Sequence, residues 1–311
     1  MNRVIGKYKG SEPGPLLIIT AAMHGNEHAG VKALDLLFKM LEVEPIRNPD
    51  FTYKGEIIGL IGNVKAYGLK KRYISKDINR CWEPEFVQHL LKQDKTTLED
   101  EDFEIRDILD IVYEEIARVF PDKIYLLDLH TTSSDGGIFC IATLEPDSID
   151  IANQIHAPVI TGLLQGLTGT TLHYFNRTNK GIDTTAIAFE GGQHNDPMSV
   201  NRCIAATVNF MRAVRVIHPN HVDNQHDDIL QNYAKHHPKL VKVTYRFHVD
   251  DNEQWELNPG YQNFQAVVKG EELARYKGNK IYAPYDGLIL MPLYQNQGND
   301  GFFIAEIIEI P

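Results

Sequence analysis

The segment from Pro15 to Glu42, PLLIITAAMHGNEHAGVKALDLLFKMLE, decides the fold. It begins with a mostly apolar run of the length of a buried strand and continues into the polar string His24-Gly-Asn-Glu-His28. The helical spacing that follows predicts an amphipathic helix with one buried face, formed by Val31, Leu34, Leu37, Phe38 and Leu41. A buried strand, a short loop and a helix in this order indicate the first unit of an α/β fold.

The same alternation continues to about residue 217. Short apolar runs predict strands in EIIGLIG (56–62), KIYLLDL (123–129) and TTAIAFEGG (184–192), and helices are predicted over 101–120 and near 200–216. The apolar face of the helix over 101–120 consists of Ile105, Ile108, Val112, Ile116 and Val119. This alternation predicts a sheet covered by helices on both faces.

The composition and the hydrophobic pattern of the sequence change after residue 217. Residues 218–239 are polar, rich in His and Asn and without clear periodicity, which predicts a linker or a loosely packed excursion. Short β-rich runs follow at 241–249, 265–270, 280–292 and 302–310, separated by turn residues, and they predict a small all-β module. We therefore expect two domains, 1–217 and 218–311.

Composition and charge exclude several classes of protein. The 311 residues are 43% hydrophobic and 23% charged, as in ordinary globular proteins, and the net charge of −11 argues against a nucleic-acid-binding surface. No apolar run approaches the roughly 18 residues of a membrane span, and the N-terminus lacks a signal-peptide pattern. Three scattered cysteines favour free thiols, so we expect a soluble, cytoplasmic protein.

Two kinds of metal site are compatible with His24-Gly-Asn-Glu-His28. In the first, the string is helical, His24 and His28 are ligands one turn apart, and Glu27 is a base. Gly25 and Asn26 are poor helix formers, which disfavours a helix here. In the second, His24 and Glu27 are both ligands on a strand-to-helix loop, and a distant His completes three protein ligands with an open position for water. The second arrangement fits the local sequence better.

The distant ligand has a candidate in His130, the last residue of KIYLLDLH. A strand ending beside the first one would bring its terminal side chain to the same sheet edge. Asp128 lies on the same face of this strand as His130, so we expect its carboxylate to orient the His130 ring. A lone histidine at a strand end is usually a surface or core residue, so the assignment depends on further motifs.

Two such motifs follow the first strand and helix: Asn63-Val-Lys-Ala66, and then Arg72-Tyr-Ile-Ser-Lys-Asp77-Ile-Asn79-Arg80. Taken alone, the second motif would indicate a solvated basic loop with an ion pair such as Asp77 with Arg72. The order along the chain is more specific, because H-G-N-E is followed by N-V-K-A, R-x-x-x-x-D-x-N-R, D-L-H and a strand ending in Glu190.

This ordered set resembles the zinc carboxypeptidase superfamily and, within it, the succinylglutamate desuccinylase/aspartoacylase family. The resemblance spans Pro15 to Asn195, and Val64 stands where the family usually has proline. It implies a helix-covered mixed sheet of the zinc carboxypeptidase type. The C-terminal run 278–303 is similar to the small β module of the same family, of the barrel-sandwich type.

The resemblance also implies a metal centre and a catalytic pair. His24, Glu27 and His130 correspond to the ligands of one zinc ion per chain. Arg72 corresponds to the arginine that polarises the scissile carbonyl. Glu190 corresponds to the general base that activates a zinc-bound water.

Substrate-binding residues are implied in the same way. Asn79 and Arg80 correspond to the pair that holds a substrate carboxylate, which a guanidinium fork matches bidentately. Arg177 and Lys180 lie where relatives supply a further contact to an acyl carboxylate, a looser match. The other histidines near these motifs are expected not to be ligands: His28, His173 and His194.

These expectations describe a zinc-dependent amidohydrolase that cleaves the amide bond of an N-acyl amino acid. Asp300-Gly301 stands near the point where aspartoacylases place a tyrosine, which weakens any claim to N-acetylaspartate as substrate. Two alternatives stay open: a zinc metallocarboxypeptidase acting on a peptide C-terminus, and a catalytically silent metal-containing binding protein. The expected partner is a small molecule, with no nucleic acid and no membrane, and homo-oligomerisation is left open.

Overall fold

The computed structural model describes residues 2–176, 181–221 and 225–308. Up to residue 213 these residues form seven strands and seven α-helices. The strands are β1 (Val4–Lys9), β2 (Glu12–Ala21), β3 (Lys54–Ile61), β4 (Lys123–Thr132), β5 (Phe139–Ala142), β6 (Val159–Thr161) and β7 (Asp183–Gln193). The helices are α1 (Ala29–Arg47), α2 (Val64–Leu69), α3 (Pro84–Lys92), α4 (Asp100–Val119), α5 (Pro146–Asn153), α6 (Thr171–Phe175) and α7 (Met198–Ala213).

The C-terminal part of the described chain adds one helix and seven strands. These elements are α8 (Gln225–Ala234), β8 (Leu240–His248), β9 (Trp255–Leu257), β10 (Gln265–Val267), β11 (Glu272–Tyr276), β12 (Asn279–Tyr282), β13 (Gly287–Leu290) and β14 (Asp300–Ile307). As predicted, the segment after α8 is built from short strands.

Most of the described strands belong to one mixed sheet, in the order β1-β3-β2-β4-β7-β5-β6-β8-β14-β13-β10, and β12-β11-β9 form a small antiparallel sheet. At the centre of the large sheet, β3, β2, β4 and β7 run parallel to one another. The predicted mixed α/β architecture is thereby confirmed. Parallel neighbours bring their carboxyl ends to one edge, where the polar motifs lie.

Strand β2 shows how side-chain alternation divides the interior into two cores. Leu17 and Ile19 belong to the core that also contains the buried faces of α1 and α7. Leu16 and Ile18 point to the opposite face, into the core that contains the buried face of α4. All four side chains are at most 1% exposed, because helices cover both faces of this strand.

The two predicted helical faces are buried as expected. On α1 the face packs into the first core, with Val31 partly buried. On α4 the face packs into the second core from Ile105 to Ile116, whereas Val119 at the end of the helix is only partly buried. Neither helix has a side-chain cap at its first turn. Burial of the apolar face, rather than capping, therefore stabilises both helices in their positions.

The prediction of a linker over 218–239 is wrong for part of that stretch, which forms helix α8. Leu230 is fully buried, and Ile229, Tyr233 and Ala234 are partly buried against the core beside α7. The ring of Tyr233 also lies 3.6 Å beneath the guanidinium of Arg202. The sequence pattern does not reveal this helix, because its apolar face has only four residues and the rest of the segment is strongly polar.

The C-terminal strands are continuous with the large sheet, because β8 pairs in parallel with β6 and antiparallel with β14. The division into domains at residue 217 stays a prediction. The three cysteines of the sequence are free thiols, as predicted. None of the described helices has the length and apolar character needed to cross a bilayer.

Candidate active site

The candidate site lies at the carboxyl ends of β2, β4 and β7. His24 follows β2 after three residues, His130 lies near the end of β4, and Glu190 lies near the end of β7. In the sheet register, His130 is directly opposite Glu190 and Leu129 is opposite Ala21. The parallel register therefore brings three residues from distant parts of the sequence to one edge.

The turn that carries His24 and Glu27 is not helical, since α1 begins only at Ala29. Gly25 is needed at this turn because a Cβ atom there would lie 2.2 Å from the backbone carbon of Ala66. The amide of Gly25 donates a hydrogen bond of 3.0 Å to the carbonyl of Arg72. Close approach of the two backbones thus ties the first motif to the second.

The imidazoles of His24 and His130 face the carboxylate of Glu27. Nδ1 of His24 lies 2.7 Å from Oε1 of Glu27, and Nδ1 of His130 lies 3.0 Å from Oε2. The other ring nitrogens face further carboxylates, with Nε2 of His24 3.1 Å from Asp77 and Nε2 of His130 2.9 Å from Asp128. The predicted contact between Asp128 and His130 is present.

The charges of these buried groups stabilise one another. Burial alone would raise the pKa of Glu27, but His24 and His130 hold it well below its usual value. Burial alone would lower the pKa of His130, but Asp128 and Glu27 raise it well above its usual value. The site is therefore an electrostatically balanced cluster in a water-poor setting.

His24, Glu27 and His130 could together hold a metal ion. One ligand atom from each lies within 4.8 Å of the other two, and all three side chains are buried. Two imidazoles and a carboxylate are a donor set that suits zinc with an open coordination position. A carboxylate behind each imidazole is the arrangement that orients histidine ligands. The residues present thus fit a catalytic divalent cation.

Arg72 lies beside this cluster, with Nη2 3.0 Å from Asp77 and Nη1 3.8 Å from Glu27. Burial alone would lower the pKa of Arg72, but Asp77 and Glu27 raise it. The ion pair between Asp77 and Arg72, which would also suit a solvated loop, is largely buried here, with side-chain exposures of 5% and 13%, and lies beside the cluster. It fixes the guanidinium at the cavity wall.

Glu190 faces the same cavity from β7. Its Oε2 atom is buried and makes no hydrogen bond with the described part of the chain. Burial raises the pKa of Glu190 to about 8, with His130 and Arg72 opposing the shift and Glu27 adding to it. A carboxyl group with a pKa near neutrality can accept a proton and return it.

Asn79 and Arg80 also line the cavity. Oδ1 of Asn79 accepts hydrogen bonds of 2.9 Å and 3.2 Å from the amide and hydroxyl of Thr171. Nη2 of Arg80 lies 2.5 Å from Oδ2 of Asp300, and Arg246 lies 2.5 Å from the other oxygen of this carboxylate. The guanidinium of Arg80 is therefore shared with an internal carboxylate of the C-terminal part.

All the predicted site residues within the described chain line one cavity: His24, Glu27, Arg72, Asn79, Arg80, His130 and Glu190. About 810 Å³ of space, part of it open solvent, lies between these residues. The cavity combines a cluster that could hold a metal ion, a buried carboxyl group and two guanidinium groups.

The family model described as the succinylglutamate desuccinylase/aspartoacylase catalytic domain matches residues 13–212, more than half of the chain. The chain belongs to this family. The resemblance seen in the ordered motifs is thereby confirmed.

Two curated relatives support membership in the succinylglutamate desuccinylase/aspartoacylase family. A probable aspartoacylase of Nostoc sp. is 32% identical over 124 residues, 40% of this chain and 37% of the relative. A probable aspartoacylase of Trichodesmium erythraeum is 28% identical over 140 residues, 45% of this chain and 43% of the relative. The matched stretches thus span less than half of either relative.

Solved structures of the family share the fold across nearly the whole chain. A succinylglutamate desuccinylase/aspartoacylase from Rhodobacter sphaeroides has a TM-score of 0.66 at 18% identity, over 97% of this chain and 88% of that one. A succinylglutamate desuccinylase from Vibrio cholerae has a TM-score of 0.60 at 16% identity, over 95% and 82%. At these identities the similarity concerns the fold.

The three histidines expected not to be ligands lie outside the cluster of this family member. His28 precedes α1 and packs against Tyr67, with ring centroids 4.7 Å apart. Nδ1 of His173 lies 2.8 Å from the hydroxyl of Thr170. Nδ1 of His194 lies 2.7 Å from the hydroxyl of Thr131, whose backbone amide donates to Glu27. Arg177 and Lys180 lie outside the described residues.

Glu101, which no sequence motif indicated as part of the site, organises the loop that follows Arg72. Its buried carboxylate accepts hydrogen bonds from the amides of Ile74, Ser75 and Lys76 at 2.7, 3.0 and 3.2 Å. It also accepts one of 2.9 Å from Nδ2 of Asn63. The only sequence signal for Glu101 is the acidic first turn of α4, and acidic residues in such a turn are usually exposed to solvent.

Proposed function

We propose that the protein is a zinc-dependent hydrolase that cleaves the amide bond of an N-acyl amino acid. The observation that carries this proposal is the shared cavity, in which Glu190 and Arg72 lie beside His24, Glu27 and His130. Membership in a family of desuccinylases and aspartoacylases supports the same reaction class.

His24, Glu27 and His130 would hold the zinc ion. When bound, zinc supplies Lewis acidity that makes a water more acidic and polarises a carbonyl group. Asp77 and Asp128 keep the two imidazoles oriented through their Nε2 atoms.

Glu190 acts as the general base, because its free Oε2 atom faces the cavity and can take a proton from the attacking water. The same carboxyl group then returns the proton to the leaving amine. Arg72 donates hydrogen bonds to the oxygen on which negative charge develops, from a guanidinium held in place by Asp77.

Asn79 and Arg80 bind the carboxylate of the amino-acid half. The amide of Asn79 is fixed by Thr171, and the guanidinium of Arg80 is fixed by Asp300. A carboxylate held by both groups places the amide bond between Arg72 and Glu190, which converts binding energy into orientation.

The proposal is tested by measuring amine release from N-acetyl and N-succinyl amino acids with zinc-loaded protein. We expect turnover that is lost on chelation and restored by zinc. Release from C-terminal peptide bonds in preference to N-acyl amino acids would identify a carboxypeptidase instead. Stoichiometric zinc without release of any amine would identify a metal-containing binding protein.

A further inference from the structure

The cavity has an apolar half in addition to its charged half. Eight of its described lining residues are apolar: Ile141, Leu163, Leu164, Leu167, Leu172, Ala188, Met291 and Leu293. Apart from the two candidate histidine ligands, the cationic side chains among the described lining residues are Arg72 and Arg80. Both already have a role in the proposed function.

The floor of the apolar half is formed by Ala188 and Ile141, next to the carboxyl group of Glu190. Ala188 precedes Glu190 by two residues on β7, so both side chains point to the same face of the sheet. Ile141 of β5 is paired with Ala188 in antiparallel register, which places the two Cβ atoms about 5 Å apart. Because Ala188 is small, the floor is recessed beside Glu190.

The wall of the apolar half is the segment 163–172, which also holds the carboxylate-binding pair. Thr171 donates to Asn79, and the carbonyl of Gly169 accepts a hydrogen bond of 2.9 Å from the amide of Trp82. Gly169 has a φ of +63°, and a Cβ atom there would lie 2.4 Å from the carbonyl oxygen of Arg80. The wall is therefore pressed against Asn79 and Arg80.

In an N-acyl amino acid, the side chain is attached one carbon away from the carboxylate, whereas the acyl group lies beyond the amide bond. The wall 163–172 lies against Asn79 and Arg80, which bind the carboxylate. It is therefore closer to the amino-acid side chain of the substrate than to the acyl group. Its leucines Leu163, Leu167 and Leu172 are each at most 6% exposed, so this side chain would meet a preformed apolar surface.

Asp300 adds an electrostatic restriction. Its carboxylate occupies one edge of the guanidinium of Arg80 and is itself 12% exposed at the cavity. A substrate with one carboxylate can share Arg80 with Asp300. A second carboxylate on the amino-acid side chain would meet the negative charge of Asp300 and an apolar wall.

Resting on the proposed function, we infer that the amino-acid half of the substrate carries an apolar side chain, of the leucine, methionine or phenylalanine class. This side chain packs on Ala188, Ile141 and the wall of leucines. Aspartate and glutamate derivatives are poor substrates. The amino-acid side chain, rather than the acyl group, is the part of the substrate that the apolar half selects.

The test varies the two halves of the substrate separately. With zinc-loaded protein, kcat/KM is measured for N-acetyl derivatives of alanine, leucine, phenylalanine, aspartate and glutamate, and for acetyl to hexanoyl derivatives of one amino acid. We expect the leucine or phenylalanine derivative to exceed the alanine derivative by about tenfold or more, and the acidic derivatives to fall below alanine. A preference for acidic side chains, or selectivity along the acyl series alone, overturns the inference.

A matched pair of variants locates the selectivity. Leu167→Ala removes part of the wall, whereas Leu90→Ala removes a buried leucine of the same core that does not line the cavity. We expect the ratio of kcat/KM between phenylalanine and alanine derivatives to fall about tenfold in Leu167→Ala and to stay unchanged in Leu90→Ala. Equal ratios in both variants contradict the assignment of the wall.

Binding to the Glu190→Gln protein keeps the inference independent of turnover. Calorimetry with the same N-acetyl series should show the leucine and phenylalanine derivatives binding about tenfold more tightly than alanine. If no derivative is hydrolysed by the unsubstituted protein but this order of affinity holds, the proposed function fails and the apolar specificity stands. If hydrolysis occurs but affinity is flat or favours acidic side chains, the proposed function stands and the inference fails.

Discussion

Oδ2 of Asp128 lies 2.9 Å from Nε2 of His130, two residues further along the same buried strand. The period of a strand puts both side chains on one face, so the contact is fixed by the backbone. The carboxylate also accepts hydrogen bonds from the hydroxyls of Thr20 and Thr171, at 2.7 and 2.6 Å. His130 therefore has a preset orientation for binding a cation.

Asp128→Asn should weaken zinc binding about 10- to 100-fold, because the amide cannot stabilise the His130 ring as a carboxylate does. The measurement is competition for zinc against a chelator of known affinity. Asp150→Asn, at an exposed position of α5, serves as the control and should leave zinc affinity unchanged. Unchanged affinity in Asp128→Asn would show that His130 is held by other contacts.

Glu190→Gln should keep the fold and the zinc content but lower kcat by about 10²–10⁴-fold, since the amide cannot accept a proton. Glu27→Gln should instead weaken zinc binding, and excess zinc should partly restore its activity. Both variants are compared by zinc content and by turnover at saturating zinc. If Glu190→Gln turns over normally while Glu27→Gln keeps zinc and is inactive, the two roles are exchanged.

Arg80→Leu should raise KM for the true substrate, because it removes a charge-assisted contact worth about 1.5–3 kcal/mol. The same substitution leaves the carboxylate of Asp300 beside the site with Arg246 as its remaining partner. Steady-state kinetics of Arg80→Leu and of Arg80→Leu/Asp300→Asn separate these effects. An unchanged KM in the single variant would place Arg80 outside the substrate site.

Glu101 should make the loop around Arg72 sensitive to acid. Burial alone would raise the pKa of Glu101, but hydrogen bonds from Ile74, Asn63 and Ser75 hold it below its usual value. Because the pKa is lower in the folded state, this stabilisation is fully present above the pKa of about 4.3 in the unfolded chain, and it is lost progressively as the pH falls from there through the lower pKa of the folded state.

The free energy of unfolding of the unsubstituted protein and of Glu101→Gln is therefore compared by urea titration at pH 7 and near pH 4. We expect the variant to be less stable by about 1.5–3 kcal/mol at pH 7, with a smaller difference near pH 4. Glu99→Gln, at an exposed neighbouring position, should show no such pH-dependent difference. A constant difference at both pH values would mean that charge at Glu101 is irrelevant.

Strands β2, β3, β4 and β7 and helices α1, α4 and α7 could be predicted because their apolar patterns are long. The shorter elements of the first 213 residues, β1, β5, β6, α2, α3, α5 and α6, were not predicted, because a short segment gives too few residues to show a period. His24 and His130 could be placed together because each follows or ends a run predicted to be a buried strand, whereas Glu190 was assigned through the family resemblance. Helix α8 could not be predicted, since Leu230 is its only fully buried residue and the surrounding segment is polar.

The side chains that contact the predicted site residues are less evident from the sequence than the site residues themselves. Asp77 was visible only as an ion-pair partner of Arg72, whereas the structure also sets it against His24. Glu101 was evident only as the first residue of the helix predicted over 101–120. Asp300 was noticed as a departure from the aspartoacylase pattern, but its contact with Arg80 spans 220 residues of sequence and depends on strand pairing that no local pattern encodes.

The contact between Asp300 and Arg80 affects the charge of the cavity. Asp300 belongs to β14, which joins the sheet through β8, whereas His130 and Glu190 belong to β4 and β7, and His24 and Glu27 lie on the turn after β2. Substitutions in β14 can therefore change the charge beside Arg80 while the residues at the ends of β2, β4 and β7 keep their positions. The charge of this part of the cavity can thus vary independently of the proposed catalytic groups within one continuous sheet.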